Sequence, residues 1–207
     1  MAEFLVPVEP IFNPNSVDYL RAHGYVIVPL YGQKFTDFPV APVIAGAAKE
    51  NQERLKALRA HIGEVAIQKK FVLPHSYTSA AFDTQMHWLE QESYELSTQH
   101  GGEMHIMPAN LCDVLALHRA NYIPDTFPSI FDLDIRQLWK STWSPHKTFA
   151  VRCADAGYSQ NTHLVFGLEF EFWKNPHPIL YTDFEDGARS PDVGLLPLIV
   201  PGPHQYT

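Results

Sequence analysis

The stretch THLVFGLEFEFW, residues 162–173, decides the predicted fold class because it carries the strongest strand signal of the chain. Apolar side chains recur at every second position from Leu164 to Phe172, and Glu169 and Glu171 occupy the opposite face. A period of two residues is that of a β-strand with one buried and one solvated face. Such strands are typical of antiparallel sheets. The stretch therefore predicts an antiparallel sheet.

Further strands are predicted on both sides of this stretch. Residues 148–154 also alternate, and the polar segment DAGYSQN, residues 155–161, is typical of a connection between antiparallel strands. Residues 25–30, YVIVPL, predict a buried strand, and residues 179–182 and 195–200 are candidates for two more.

Four segments have apolar residues at helical spacing: residues 16–23, 46–69, 80–99 and 109–122. Helices and antiparallel strands in separate parts of the chain predict an α+β fold, with an antiparallel sheet or two-layer sandwich on which three to four helices pack. A jelly roll with helical insertions is the alternative, because seven or eight short strands can be counted.

The two ends of the chain are apolar and interrupted by prolines. Residues 1–14 are MAEFLVPVEPIFNP and residues 195–207 are LLPLIVPGPHQYT. Proline removes a backbone donor and prevents long helices, so such ends need burial but build no core alone. We therefore predict an N-terminal arm at residues 1–15, one α+β domain at residues 16–190 and a C-terminal arm at residues 191–207.

Charge and composition restrict the partners. The 207 residues have a net charge of −8, and the lysines and arginines are scattered rather than clustered, which argues against direct binding of nucleic acid. No apolar run approaches the roughly 18 residues of a membrane span, and no signal peptide is recognisable. Two cysteines without a motif favour buried free thiols. An intracellular location, or one within a virion or another assembly, is predicted.

Histidine is enriched, with 11 residues, so a metal site is one candidate function. The tightest group of possible ligands is His100, Glu103 and His105 in QHGGEMH, where imidazoles and a carboxylate are able to hold zinc or iron. The same segment also fits a helix end with two glycines as its stop. No His-X-His, HExxH, CxxC, nucleophile elbow or phosphate-binding glycine loop occurs in the chain.

These observations leave two main functional hypotheses, and a small-molecule or protein-binding module on the antiparallel sheet as a third. The first is a non-enzymatic structural subunit of a large assembly, such as a virus or phage particle or a multi-protein complex, that binds other subunits or copies of itself without a cofactor. The second is a soluble metal-dependent enzyme at His100–His105. In the first hypothesis apolar arms and projecting aromatic side chains form the interface. The predicted interface residues are Phe4, Leu5, Val6, Ile11, Phe12, Trp139, Trp143, Leu196, Leu198, Ile199 and Val200.

Overall fold

A computed structural model describes residues 10–38, 49–68, 80–120, 146–157, 159–171, 177–189 and 193–202. This part of the chain forms four α-helices, one short 3-10 helix at Phe35–Asp37 and two mostly antiparallel sheets, so the predicted α+β class is confirmed. The helices are α1 (Pro14–Ala22), α2 (Lys49–Ala57), α3 (Phe82–Gln99) and α4 (Leu111–Arg119). The strands are β1 (Tyr25–Tyr31), β2 (Ile62–Gln68), β3 (Met104–Pro108), β4 (His146–Ala156), β5 (Thr162–Glu171), β6 (His177–Glu185), β7 (Val193–Leu195) and β8 (Pro197–Pro201).

The first sheet has the strand order β1-β2-β8-β3, and each neighbouring pair is antiparallel. The second sheet has the order β6-β5-β4-β7. In it, β4, β5 and β6 form an antiparallel meander, and β7 pairs with β4 in parallel. Three consecutive strands in one sheet differ from the paired Greek keys of a jelly roll, so the alternative topology is not the one observed.

One hydrophobic cluster joins the two sheets and helix α4. It contains the inner faces of β1, β2 and β8, represented by Leu30, Val65 and Leu198, and the facing side chains of β4 and β5, represented by Val151 and Phe166. Helix α4 contributes its buried residues from Leu111 to Leu117 to the same cluster. The predicted two-layer packing is therefore completed by a helix that is buried on all sides.

Helices α1 and α3 cover much of the outer face of the first sheet. A second cluster joins Leu20 of α1 to Ala66 and Ile199 on that face. Helix α3 also binds the ends of both sheets: Ser93 Oγ accepts a hydrogen bond from the backbone of Ile106 in β3, and the Gln85 amide donates to the carbonyl of Val193 in β7. These bonds satisfy backbone groups at two sheet edges.

The C-terminal segment is part of the domain. Residues 193–195 lie in the second sheet and residues 197–201 lie in the first, with only Leu196 between them. Strand β8 is a central strand, and its apolar side chains are buried on both faces. The predicted extended C-terminal arm is therefore wrong for residues 193–202. The prolines do not interrupt the strand, because Pro197 and Pro201 are its first and last residues.

The N-terminal residues that are described also pack on the domain. The carbonyl of Pro10 accepts a hydrogen bond from Glu64 N–H at 2.8 Å, and Phe12 N–H donates to the Glu64 carboxylate at 2.9 Å. Phe12 is buried beside α1, and Asn13 caps that helix through a bond from Ser16 N–H. Residues 1–9 of the predicted N-terminal arm lie outside the described residues.

The predicted long helix at residues 46–69 is wrong in its second half. Helix α2 ends at Ala57, and residues 62–68 form strand β2. Leu58, Ile62 and Val65 match helical spacing, but Ile62, Val65 and Ile67 are β-branched and favour a strand. Strands β1 and β8 pair with this segment on its two sides, and that pairing decides its structure.

Candidate functional site

Of the three predicted metal ligands, His100 and Glu103 contact helix α1, and His105 lies in strand β3. His100 is the C-terminal cap of α3, and its ring lies 4.1 Å from that of Tyr19. The Glu103 carboxylate accepts a hydrogen bond from Ser16 Oγ at 3.4 Å. His105 lies in β3 and is partly buried, and this burial lowers its pKa. His100 and Glu103 are thus held by contacts with α1.

No group of three or more histidine, cysteine, aspartate or glutamate side chains in the described ranges is arranged to hold a metal ion. The prediction of a zinc or iron site at His100, Glu103 and His105 is therefore not supported by the geometry. The alternative interpretation, a helix end with two glycines, fits: Gly101 and Gly102 both have positive φ, and Gly102 N–H bonds the carbonyl of Ser97.

The predicted interface residues also have different environments. Ile11 is 49% exposed, whereas the neighbouring Phe12 is buried. Leu196, Leu198, Ile199 and Val200 are all buried in the core of their own domain, which corrects their assignment to an interface. Their shelter comes from β2 and β3 and not from another chain. The remaining predicted residues, Phe4, Leu5, Val6, Trp139 and Trp143, lie outside the described part.

The clearest polar pair that the sequence did not predict is His163 with Asp186. His163 Nδ1 lies 2.5 Å from Asp186 Oδ1, and the imidazole stacks on the ring of Phe82 with centroids 3.5 Å apart. A carboxylate bound to one ring nitrogen orients the other nitrogen, which is how a general base is positioned in many enzymes. A cavity lies near the pair, at the end of the same two strands.

That cavity is a polar cleft of about 510 Å³ at the turn between β4 and β5. Thr162 and Glu185 pair across β5 and β6 and line it, and His163 and Phe184 form the next pair along the same two strands. Successive side chains of a strand point to opposite faces, so His163 faces away from the cleft. The His163–Asp186 pair and the cleft do not combine into one site. The other residues that line the cleft are Ser159, Gln160, Asn161 and Gly187.

Arg152 stabilises the end of the second sheet at which β6 is followed by residues 186–189. It is fully buried, its Nη2 donates to the carbonyl of Ala188 at 3.1 Å, and its guanidinium lies 5.0 Å from the centre of the Phe184 ring. Burial lowers the pKa of Arg152, and the charge of Asp186 opposes that shift. Arg152 and the His163–Asp186 pair thus fix residues 186–189 against the sheet, which is a structural role.

The two cysteines are poor nucleophiles. Both are buried and free. Burial raises the pKa of the Cys112 thiol to about 12, and it raises the pKa of Cys153 well above its usual value. Because the thiolate is the reactive form, neither side chain is activated for covalent chemistry.

The strongest candidate for a functional surface is apolar and lies on the first sheet. Four large hydrophobic side chains are exposed within the described ranges, and two of them, Tyr31 at 63% and Ile62 at 58%, are direct partners across β1 and β2. Pro29 is exposed two residues before Tyr31. We call Pro29, Tyr31 and Ile62 the outer-face patch.

Strand alternation explains why these side chains are exposed. Val28 and Leu30 point into the shared core, so Pro29 and Tyr31 point to the opposite face, where Ile27 packs beside α1. Ala66 of β2 packs on that same face, and Ile62 has the same parity along the strand. The outer-face patch is thus the continuation of a covered sheet face beyond the part that α1 covers.

The free edge of β1 is blocked for strand pairing at this place. Tyr31 N–H already donates to the side chain of Gln33 at 3.1 Å, so the odd-numbered residues of β1 direct their backbone away from β2. Pro29 belongs to the same set and has no N–H. A second strand would therefore find two carbonyl acceptors but no donor at these positions, which weakens strand pairing and leaves side chains as the main contacts of the patch.

Sequence reasoning missed this surface for a physical reason. Tyr31 lies just beyond the strand predicted at residues 25–30, and Ile62 lies among the apolar residues of the helix predicted at residues 46–69. The two residues are 31 positions apart and become neighbours only because β1 pairs with β2. The available signal was the β-branched composition of residues 62–67, which indicates a strand.

None of the helices in the described ranges is long and apolar enough to cross a membrane. No protein-family model matches the chain, and no curated protein or solved structure shows significant similarity to it.

Proposed function

We propose that this protein is a non-enzymatic subunit of a larger protein assembly, located inside a cell or within a particle such as a virion, and that it docks on another protein through the outer-face patch. The observation that carries the proposal is the adjacent exposure of Tyr31 and Ile62 on one sheet face. Exposed apolar side chains that lie singly are common, but adjacent ones mark interaction sites.

The free energy gained on docking can be bounded from the number of apolar side chains that become buried. Burial of one large apolar side chain is worth roughly 1.5–3 kcal/mol, and a tyrosine adds a polar group that can bond at the rim. Two or three such side chains are enough for the central contact of an interface, because a few residues carry most of the binding energy. The mode of docking differs from the predicted one, since the C-terminal segment is part of the domain's own core.

The alternative, a metal-dependent enzyme, has no comparable support. Among the described residues the candidate ligands are not brought together, and the His163–Asp186 pair faces away from the neighbouring cleft. The docking role is therefore the function that the described geometry favours.

Site-specific photo-crosslinking tests the proposal. Tyr31 is replaced by p-benzoylphenylalanine in the full chain, which is produced in the cells that naturally contain the protein. The matched control places the same group at Tyr94 of α3, which is 75% exposed but lies away from the patch. We expect a discrete covalent adduct with one protein at position 31 and none at position 94, and we expect Ile62→Thr to reduce it. Equal labelling at both positions would contradict the proposal.

A further inference from the structure

We propose that the partner that occupies the outer-face patch is a different protein segment, apolar at its centre and rimmed by carboxylates, rather than a second copy of this chain related by a two-fold axis. This inference rests on the proposed function and specifies the chemistry of the partner. It is carried by the cations that stand at the end of the patch.

The β1–β2 ladder continues past Tyr31 and Ile62 and ends in two basic residues. Gly32 N–H donates to the carbonyl of His61 at 2.9 Å, and Lys34 then forms a β-bridge with Arg59. Both Lys34 and Arg59 are exposed. The bridge fixes the two residues side by side beyond the Tyr31–Ile62 pair. Their neighbours Phe35 and Ala60 lie in the shared core, so Lys34 and Arg59 point to the opposite face, as the outer-face patch does.

The nearest carboxylates are engaged with the backbone. Glu64 accepts the Phe12 N–H at 2.9 Å, and Asp37 accepts the Lys34 N–H at 2.8 Å. His61 lies next to Ile62, and the Asp113 carboxylate 3.7 Å from its ring raises its pKa, so at mildly acidic pH the imidazole is protonated and paired with that carboxylate. Lys34 and Arg59 are thus exposed cations in a chain whose net charge is −8, and Glu64 and Asp37 keep their own negative charges while their oxygens are engaged with the backbone.

Charge complementarity selects the partner. Complementary charges around an apolar centre steer association and suppress wrong partners. In an isologous dimer the same patch meets itself, so a two-fold axis that runs along the strands through the patch would bring Lys34 and Arg59 of both copies together. Like charges there would repel. A segment with carboxylates at its rim instead finds opposite charges, and it needs no backbone pairing, for which β1 offers no donor at Pro29 or Tyr31.

The test uses NMR of the isotope-labelled full chain with three synthetic peptides. One peptide alternates Leu and Phe with Glu, the second has Lys in place of every Glu, and the third keeps Glu but has Ser in place of Leu and Phe. We expect only the first to shift the amides around Tyr31 and Ile62, with an affinity that falls as salt rises. The double variant Lys34→Glu, Arg59→Glu should weaken this binding by about tenfold, and Arg21→Glu on α1 should leave it unchanged.

Other outcomes separate this inference from the proposed function. Equal or stronger binding of the lysine peptide overturns the inference and leaves the docking role standing. Shifts of the same amides with protein concentration alone, together with a doubled mass in solution, identify a second copy as the occupant and also overturn it. Tighter peptide binding after deletion of residues 1–9 assigns the patch to the chain's own N-terminal residues. Unchanged binding in Tyr31→Thr, Ile62→Thr would count against the patch itself and hence against the proposed function.

Discussion

Gly202 leaves no room for a side chain. Its N–H donates to the carbonyl of Glu103 at 2.7 Å, and a Cβ at this position would overlap the carbonyl oxygen of Gly102. Because backbone rather than a flexible side chain is in the way, the turn that joins α3 to β3 would have to move. Gly202→Ala should therefore lower the free energy of unfolding by roughly 2 kcal/mol or more.

Gly187 is the matched control for this substitution. A Cβ there meets no atom within 4 Å, and its backbone does not have a positive φ. Gly187→Ala should be neutral or stabilise by up to about 1 kcal/mol through the unfolded chain. Urea unfolding of both variants measures the difference. Equal stabilities would show that residue 202 is not held against the turn.

His61 and His105 are expected to make stability depend on pH in opposite directions. The Asp113 carboxylate, 3.7 Å from its ring, raises the pKa of His61 above 6.5, so the stabilising contribution of His61 is complete below pH 6.5 and is lost as pH rises through the folded-state pKa. The pKa of His105 is lowered from 6.5, first by burial and then by the charge of His61, so its contribution is present above pH 6.5 and is lost as pH falls through the folded-state pKa.

Urea unfolding between about pH 5 and pH 8 tests both signs. His61→Gln should remove the loss of stability on the alkaline side of 6.5, and His105→Gln should remove the loss on the acidic side. His87→Gln, at an exposed position of α3, is the control and should leave the profile unchanged. Parallel profiles for all three variants would refute the expected opposition.

At the scale of elements, the N-terminus of α4 is held by two carboxylates. Asp113 is fully buried and accepts hydrogen bonds from His61 N–H at 2.7 Å and from Asn110 N–H at 3.0 Å, so it joins the helix to the start of β2. Asp155 of β4 accepts the Leu111 N–H at 2.6 Å, and its burial raises its pKa. A carboxylate at this position is also stabilised by the positive end of the helix dipole.

Asp113→Asn should therefore destabilise the fold by about 2 kcal/mol or more. The amide of asparagine has only one oxygen acceptor, so its NH₂ group would face one of the two backbone N–H groups that Asp113 binds, and that buried N–H would lose its partner. Asp83→Asn is the control. Asp83 also lies in the first turn of a helix, α3, but it is exposed, so its loss should cost less than about 1 kcal/mol. Thermal unfolding followed by circular dichroism compares the two; similar losses would mean that the bonds of Asp113 contribute little.

Elements with one strong local signal were predictable from the sequence. Helix α4 and strand β5 lie where the apolar spacing placed them, within two to three residues at each end. The segment after Ala57 was not, because Leu58, Ile62 and Val65 fit a helix while pairing with β1 makes residues 62–68 a strand. Partners distant in sequence decided the structure there, and the outer-face patch was missed for the same reason.

The whole molecule depends on its C-terminal segment to connect the two sheets. Leu198 and Val200 point into the shared core while Ile199 points to the cluster beside α1, so both faces of β8 are buried. A continuous apolar run is typical of such a central strand. The apolar run LPLIVP, residues 196–201, therefore indicated a central strand. Its two prolines favoured an arm instead, because only the pairing with β3 shows that they stand at the two ends of the strand.

Deletion of residues 197–207 should abolish cooperative unfolding, because it removes the strand that lies between β2 and β3 and exposes apolar side chains on both sides of the gap. Deletion of residues 203–207 is the control, since it keeps all of β8 and the Gly202 bond to Glu103. We expect the longer deletion to give a broad thermal transition and rapid proteolysis, and the shorter one to unfold like the full chain. A longer deletion that still melted sharply at the same temperature would mean that β8 is dispensable, and the segment would again be free to dock on another chain.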